Sequence, residues 1–246
     1  MIKILFVGIT GAMGQTFLSV LPQDMRIVSG VGKGILDVDF PIYESITEVT
    51  EDFDVIVDFS HVNLLDGVLD FALEQKKPLL IASTGITEAL HDKIDAISQS
   101  IPIVQSGNYS YGVYALTQAV KLLSEILEDT DVEIIEKHHR FKKDAPSGTA
   151  EMLVNAVEQV RGDMDIHYGR SGQSDDRNVN DLGVHSIRGG TIVGEHSVIF
   201  ADIDEVVEIT HTAASKKIFA KGAFKAIYFI MRQDVGRYDL GDVVHG

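Results

Sequence analysis

The chain contains no cysteine in 246 residues. Disulfides, thiolate metal sites and cysteine nucleophiles are therefore excluded. Positive charge is scarce: 21 Lys and Arg stand against 37 Asp and Glu, a formal net charge of -16. That balance argues against nucleic acid or an anionic membrane as the main partner. No apolar run reaches the ~18 residues needed to span a bilayer. The opening residues, Met1 to Val7, carry one charge and run straight into Gly8. They read as a buried first strand and not as a signal peptide, so the cytoplasm is the expected location. Low-complexity tracts and internal repeats are also lacking. What remains, 45% hydrophobic and 24% charged residues, is the composition of an ordinary globular protein long enough for one or two domains.

The first hundred residues alternate short Val/Ile-rich runs (2–7, 26–31, 54–59, 78–82, 101–105) with helical patterns (61–74, 88–98). Uniformly apolar strands between helices predict an α/β fold, a Rossmann-like doubly wound parallel sheet with both faces covered. After residue 109 the texture changes. An amphipathic helix over 112–127 leads to a strand over 132–137. Residues 162–182 read as a long polar loop, and β-type alternation fills 184–188, 192–203 and 206–212. An apolar helix over 218–231 is expected to pack back on the first domain.

Against the acidic background one cationic segment stands out. Six of the seven residues from Lys137 to Lys143 can carry positive charge. Asp-Ala-Pro-Ser-Gly-Thr-Ala follows at once and reads as a helix start. Ser147 is a good N-cap, Pro146 cannot sit deep in a helix, and Met152, Leu153, Ala156, Val157 and Val160 recur at helical spacing. Cations beside a helix N-terminus suit a small, multiply charged anion. His138 and His139 are neighbours, so in a strand they face opposite ways and do not chelate together; no metal is expected.

Glycines also recur at Gly8, Gly11 and Gly14, directly after the first strand. Gly8 permits a tight turn, Gly11 lets backbone approach a pyrophosphate, and Gly14 allows close helix–strand packing. Thr10 occupies the place of the second glycine in the usual G-x-G-x-x-G. At the end of the second strand an NAD-preferring site carries an acid, whereas this chain has Gly32 and Lys33. A lysine there suits a 2′-phosphate, which predicts NADPH use or tolerance of both cofactors. A solvated loop lysine is the alternative. Two more loops, Ala82-Ser83-Thr84-Gly85 and Ser106-Gly107-Asn108-Tyr109, follow strands at the edge where open α/β sheets bind ligands.

The run Glu136-x-His138-His139-x-x-Lys142-x-Asp144-Ala145-Pro146-Ser147-Gly148-Thr149-Ala150 resembles the signature of the 4-hydroxy-tetrahydrodipicolinate (dihydrodipicolinate) reductase family. Arg188-Gly189-Gly190, Gly194-Glu195-His196, Phe200, Glu208, His211 and Phe219-Ala220-Lys221-Gly222-Ala223 resemble that family's second half, and Met13-Gly14 its first. The resemblance implies NADPH- or NADH-dependent reduction of a cyclic dicarboxylate in the diaminopimelate route to lysine. It implies His138 as proton donor or acceptor and Lys142 as proton donor. His139, Gly148 and Thr149, with the Ser147 helix start, would bind substrate. Gly8, Ile9, Thr10, Gly11, Ala12, Met13, Ala82, Ser83, Thr84, Ser106, Gly107, Asn108 and Tyr109 would hold the cofactor, with Lys33 at its 2′-phosphate. A dinucleotide-binding domain is expected over 1–109 and 217–246. A second α+β domain with an open mixed sheet, for substrate and oligomerisation, is expected over 110–216. A homotetramer follows from the same resemblance.

The chain departs from the pattern in places. Ala82-Ser83-Thr84 stands where Gly-Thr-Thr is common, Ser106-Gly107 where Ala-Ala or Ala-Pro is, and Lys216 where Arg is. Lysine cannot reproduce a bidentate carboxylate contact. Two other readings share the glycine turn: another Rossmann dehydrogenase acting on an amino or oxo acid, and a non-catalytic NADP-binding redox sensor. Neither needs His-His-x-x-Lys-x-Asp-Ala-Pro-Ser-Gly-Thr.

Overall fold

The computed structural model describes residues 1–173 and 176–246. Its chain forms two compact units, Met1–Ser110 with Lys216–Gly246, and Tyr111–Ser215.

The first unit is built on one parallel sheet. In chain order it holds β1 (Ile2–Val7), α1 (Ala12–Leu18), β2 (Met25–Val31), β3 (Ile42–Tyr43), β4 (Val55–Asp58), α2 (Leu65–Gln75), β5 (Leu79–Ile81), α3 (Glu88–Ser98) and β6 (Pro102–Gln105). The seventh strand comes from the end of the chain, and the order is β12-β6-β5-β4-β1-β2-β3, with β12 spanning Gly236–Tyr238. Every paired neighbour is parallel. Strand order reverses between β1 and β4, so the loops leaving those strands diverge and leave a crevice, the usual ligand position in such sheets. The strands are apolar because both faces are covered: Ile4, Leu5, Phe6, Val55, Ile56 and Val57 are all fully buried.

The chain returns to this unit with α6 (Lys217–Ile230), which sits against α1, where the Phe17 and Phe224 rings meet edge-on at 4.5 Å. Close approach elsewhere depends on Gly222. A Cβ there would fall 1.7 Å from the Tyr109 carbonyl oxygen. The chain ends in α7 (Leu240–His245), capped by Asp239, whose carboxylate accepts from Gly241 N and Asp242 N.

The second unit pairs a mixed sheet with two helices. α4 (Tyr111–Ile126) precedes β7 (Asp131–His138), then α5 (Gly148–Arg161), β8 (Asp165–Tyr168), β9 (Asp181–Arg188), β10 (Gly194–Ala201) and β11 (Val206–Ala213). Strand order is β11-β10-β7-β9-β8. β7 is antiparallel to β10 and parallel to β9, which places its carboxyl end beside the amino end of β10 and the carboxyl end of β9. Val132 and Ile134 point into a core with Leu116, Val120, Leu153, Val157 and Phe200. The alternate β7 positions are half-exposed, the period-2 signature of a sheet covered on one side. Arg161, at the end of α5, donates to Thr130 O at 2.7 Å and to Leu127 O, closing the turn between α4 and β7.

The expected loop over 162–182 is corrected in part. Asp165–Tyr168 forms the edge strand β8, and β9 begins at Asp181. β8 is four residues long, with two polar members, so its composition hides it. Positions 174 and 175 of that loop lie outside the described residues.

Candidate active site

Two groups of residues carry the expected chemistry, one in each unit. In the first unit, the turn from Gly8 to Gly14 leaves β1 at the strand-order reversal. Gly8 adopts φ +88°, and a Cβ there would come within 2.7 Å of Phe59 O, the carbonyl just past β4. Gly14 lies so close to Ile9 that a Cβ would fall 2.3 Å from its carbonyl oxygen. Gly11 is the N-cap of α1 and no side chain caps that end. The turn is thus a backbone-lined cradle of the sort a pyrophosphate requires. Ala12 and Met13 sit at its outer rim, exposed and half-exposed. Ile9 is fully buried, so only its backbone can face a ligand.

The loop after β2 approaches this turn. A Cβ on Gly32 would sit 2.6 Å from Thr10 Oγ1. Thr10 and Gly32 are therefore a matched pair: the hydroxyl at position 10 occupies space that an acid at position 32 would need. Lys33 beside them is exposed.

The other expected cofactor residues divide into open and closed. Ala82, Thr84, Ser106 and Gly107 are at least partly exposed. A Cβ on Gly107 would meet the Thr84 methyl at 3.6 Å, an ordinary contact that brings the two loops side by side. At three of the expected cofactor residues the side chains turn inward, which leaves their backbone as the part that could face a ligand. Ser83 is buried and its hydroxyl lies 2.7 Å from Asp58 Oδ2. Tyr109 is buried, with its hydroxyl 2.9 Å from Ile81 O and 3.2 Å from Val104 O. The amide oxygen of Asn108 accepts from Ser110 N at 2.8 Å. These three groups hold the loops in shape.

Asp58, at the end of β4, escaped the sequence reading. Its carboxylate takes Ser60 N at 2.9 Å, Ser60 Oγ at 2.5 Å and Ser83 Oγ at 2.7 Å, so it ties the β4 and β5 loops together. Burial raises its pKa, with the Ser60 and Ser83 hydrogen bonds opposing. The available signal was a polar Asp-Phe-Ser immediately after an apolar strand.

In the second unit the cationic segment begins on β7. Alternation along that strand puts Glu136 and His138 on one face and Lys137 on the other. Lys137 pairs with Glu195 on β10, which neutralises a charge expected to strengthen the local field. Glu136 is fully buried. Arg188, opposite His138 on β9, grips it through both terminal nitrogens at 2.8 and 2.7 Å. His138 Nδ1 lies 2.6 Å from Glu136 Oε2, and Ser147 N donates to Oε1 at 3.1 Å. Burial pushes the Glu136 pKa up, but Arg188 and then His138 outweigh it and draw it down to about 2. An ionised carboxylate only accepts, so this contact suits a proton on Nδ1 of His138. Burial lowers the His138 pKa despite Glu136, which keeps the ring neutral near pH 7.

Past β7 the chain turns. Lys142 N bonds His139 O at 3.1 Å, and the Lys142 ammonium donates to Asp144 at 2.7 Å. That hydrogen bond holds the Asp144 carboxyl below its ordinary range. His139 packs near Phe141, and its Nδ1 is buried without a partner. Ser147 caps α5, accepting from Ala150 N at 3.2 Å and bonding His196 Nε2 at 2.9 Å. With its backbone N on Glu136 as well, Ser147 makes three internal hydrogen bonds at the start of the helix. Gly148 opens the helix with nothing within 4 Å of where a Cβ would sit, and Thr149 follows in the first turn.

Comparison with known proteins is decisive at this point. Residues 2–109 match the family model "Dihydrodipicolinate reductase, N-terminus", and residues 112–244 match its C-terminus counterpart. The chain belongs to the dihydrodipicolinate reductase family. Within that family, the 4-hydroxy-tetrahydrodipicolinate reductase of Caldanaerobacter subterraneus subsp. tengcongensis is 40% identical over 247 residues, covering 99% of this chain and 98% of that one. The Staphylococcus aureus (strain JH9) enzyme of the same name is 42% identical over 238 residues, covering 96% and 98%. Among solved structures, a dipicolinate-bound dihydrodipicolinate reductase from Paenisporosarcina sp. TG-14 superposes with a TM-score of 0.77 over 97% of each chain at 19% identity, a likeness of fold.

Proposed function

We propose that this chain reduces 4-hydroxy-tetrahydrodipicolinate to tetrahydrodipicolinate with NADPH or NADH, the diaminopimelate and lysine biosynthesis reaction of its relatives. The net change takes up one hydride and one proton and releases the 4-hydroxyl as water. The observation that carries this reading is the grouping of His138, Lys142 and the α5 start at the end of β7, in a chain that matches the family over nearly its whole length.

The glycine turn fits a dinucleotide: at Gly8 and Gly14 a Cβ would collide with the Phe59 and Ile9 backbone, so only glycine permits this tight turn, and no side chain caps the α1 start at Gly11. Backbone of residues 8–13 would hold the phosphates, with Ala82, Thr84, Ser106 and Gly107 at the nicotinamide end. Bound there, the nicotinamide supplies the hydride. Lys142 stabilises negative charge that develops on the substrate and supplies the proton. His139, Gly148 and Thr149 receive its carboxylates, aided by the α5 N-terminus. Asp144 orients the Lys142 ammonium until substrate competes for it. The Thr10–Gly32 pair, which leaves no acid for a ribose 2′-hydroxyl, favours NADPH through Lys33.

A homotetramer assembled through the second unit and a cytoplasmic location belong to the same reading. Among the described residues no helix is long and apolar enough to cross a membrane. The deciding experiment follows nicotinamide absorbance with freshly generated 4-hydroxy-tetrahydrodipicolinate and with unrelated oxo acids. Turnover of the former supports the assignment. Turnover of the oxo acids alone, or cofactor binding without turnover, rejects it.

A further inference from the structure

The charged and polar groups around His138 are arranged as a clamp. β7 supplies Glu136, β9 supplies Arg188, the following loop supplies Lys142, and β10 supplies His196, whose ring stands edge-on to His138 at 5.2 Å. Two donors address each oxygen of Glu136: His138 Nδ1 and Arg188 at Oε2, Arg188 and Ser147 N at Oε1. Arg188 also reaches Asp144 O at 2.6 Å, so one guanidinium spans the buried carboxylate and the loop that carries Lys142. On the far side of the imidazole, a Cβ on Gly194 would fall 3.1 Å from His138 Nε2, so glycine keeps that nitrogen uncrowded.

We propose that Glu136, clamped by Arg188, is a positioning residue that locks His138 in the Nδ1–H tautomer and presents Nε2 as a hydrogen-bond acceptor. The same carboxylate binds the first backbone N–H of the α5 start, so ring orientation and the substrate-binding turn are set together. In the resting enzyme His138 then accepts and Lys142 is the proton donor, which resolves the donor-or-acceptor ambiguity that the sequence leaves at His138. This inference rests on the proposed role of His138 in the reaction.

Two measurements test it. Ring-nitrogen NMR of the wild-type protein should show His138 neutral near pH 7 with the proton on Nδ1; an Nε2–H tautomer overturns the proposal without any variant having to fold. In Glu136→Gln the carboxamide offers one acceptor for two sets of donors. Turnover should fall steeply, toward the ~10⁴-fold loss seen when a triad histidine loses its orienting carboxylate. The Michaelis constant for NADPH should stay within a factor of two or so, and the pH dependence of turnover should shift. Glu136→Asp should recover part of the loss if reach alone is limiting. Unchanged turnover and pH profile in a folded Glu136→Gln protein reject the positioning role. His138→Ala separates the two layers of inference: if it retains normal turnover, the role of His138 fails, whereas normal loss in His138→Ala with no effect of Glu136→Gln fails only the clamp.

Discussion

Each unit buries one carboxylate beside its candidate site, and the two are held in opposite ways. Asp58 is surrounded by hydroxyls and a backbone N–H, and burial raises its pKa. Glu136 is fully buried yet sits between Arg188 and His138, which bring it down to about 2. At Asp58 the neutral donors do not outweigh burial; at Glu136 the bidentate guanidinium and the histidine do. The difference matches what each region has to do. On the proposed reading the first unit shapes backbone around a dinucleotide and needs a polar bracket between loops, whereas the second orients a histidine ring and a lysine and uses full charges to do so.

The sharpest test of the second region's side chains is Lys142→Ala. Loss of a positioned acid–base group typically costs 10²–10⁴-fold. Turnover should fall in that range while the dissociation constant for NADPH, measured by fluorescence titration, stays near normal. Near-normal turnover removes Lys142 from the reaction.

Acid should discriminate the two carboxylates. Glu136 has a folded pKa of about 2 against an ordinary 4.5. Above pH ~4.5 its stabilisation is fully present; as pH falls through 4.5 toward 2, the unfolded chain binds the proton first and that stabilisation is lost. The shift corresponds to roughly 3 kcal/mol. His196 works in the same direction, since burial and then the neighbouring His138 lower its pKa to about 4. Asp58 works the other way: its raised pKa means the folded state holds a proton longer, so its contribution falls as pH rises above 3.8. Denaturant unfolding between pH 6 and 3 should show a steep acid loss for wild type that is shallower in Glu136→Gln and steeper in Asp58→Asn, which loses the opposing contribution. Equal slopes in wild type and Glu136→Gln would refute the charge clamp's energetic role.

In the first region, where backbone dominates, single side chains should matter less. Lys33→Ala should raise the Michaelis constant for NADPH by about tenfold, a lost exposed phosphate contact of ~1.4 kcal/mol, and leave NADH nearly unchanged. An equal effect on both cofactors makes Lys33 a solvated loop residue. Gly32→Asp should favour NADH only when Thr10→Gly accompanies it, because Thr10 Oγ1 stands 2.6 Å from where the new Cβ would be.

How far the residues announced all this differs between the regions. The parallel sheet was legible because both of its faces are covered, which forces apolar strands; β3 and β12 were not, being two and three residues long. The glycine turn was legible because steric needs are written in glycine itself. The inward side chains of Ser83, Asn108 and Tyr109 were not legible because a loop position does not reveal which way a side chain turns, and Asp58, which holds Ser83, lies 25 residues away. In the second unit the identities of His138 and Lys142 were plain from the signature. Their partners were only half visible: Glu136 two residues away follows from strand alternation, whereas Arg188 is 52 residues on and meets Glu136 only through the parallel pairing of β7 and β9.

The smallest expected effect completes the contrast. Asp58→Asn keeps an oxygen for Ser60 N and Ser60 Oγ, and turns an amide toward Ser83 Oγ, which can accept while donating to Ser60 O at 3.0 Å. Because burial already disfavours the Asp58 charge, its removal costs little beyond one exchanged hydrogen bond, about 1 kcal/mol or less. Glu136→Gln leaves Arg188 beside a neutral partner and should cost several times more, of the order seen when one member of a buried ion pair is removed. Thermal unfolding of the two variants at pH 7 measures the comparison directly. If Asp58→Asn destabilises as much as Glu136→Gln, the first carboxylate is held as a charge after all, and some cation other than the hydroxyl donors must be compensating it.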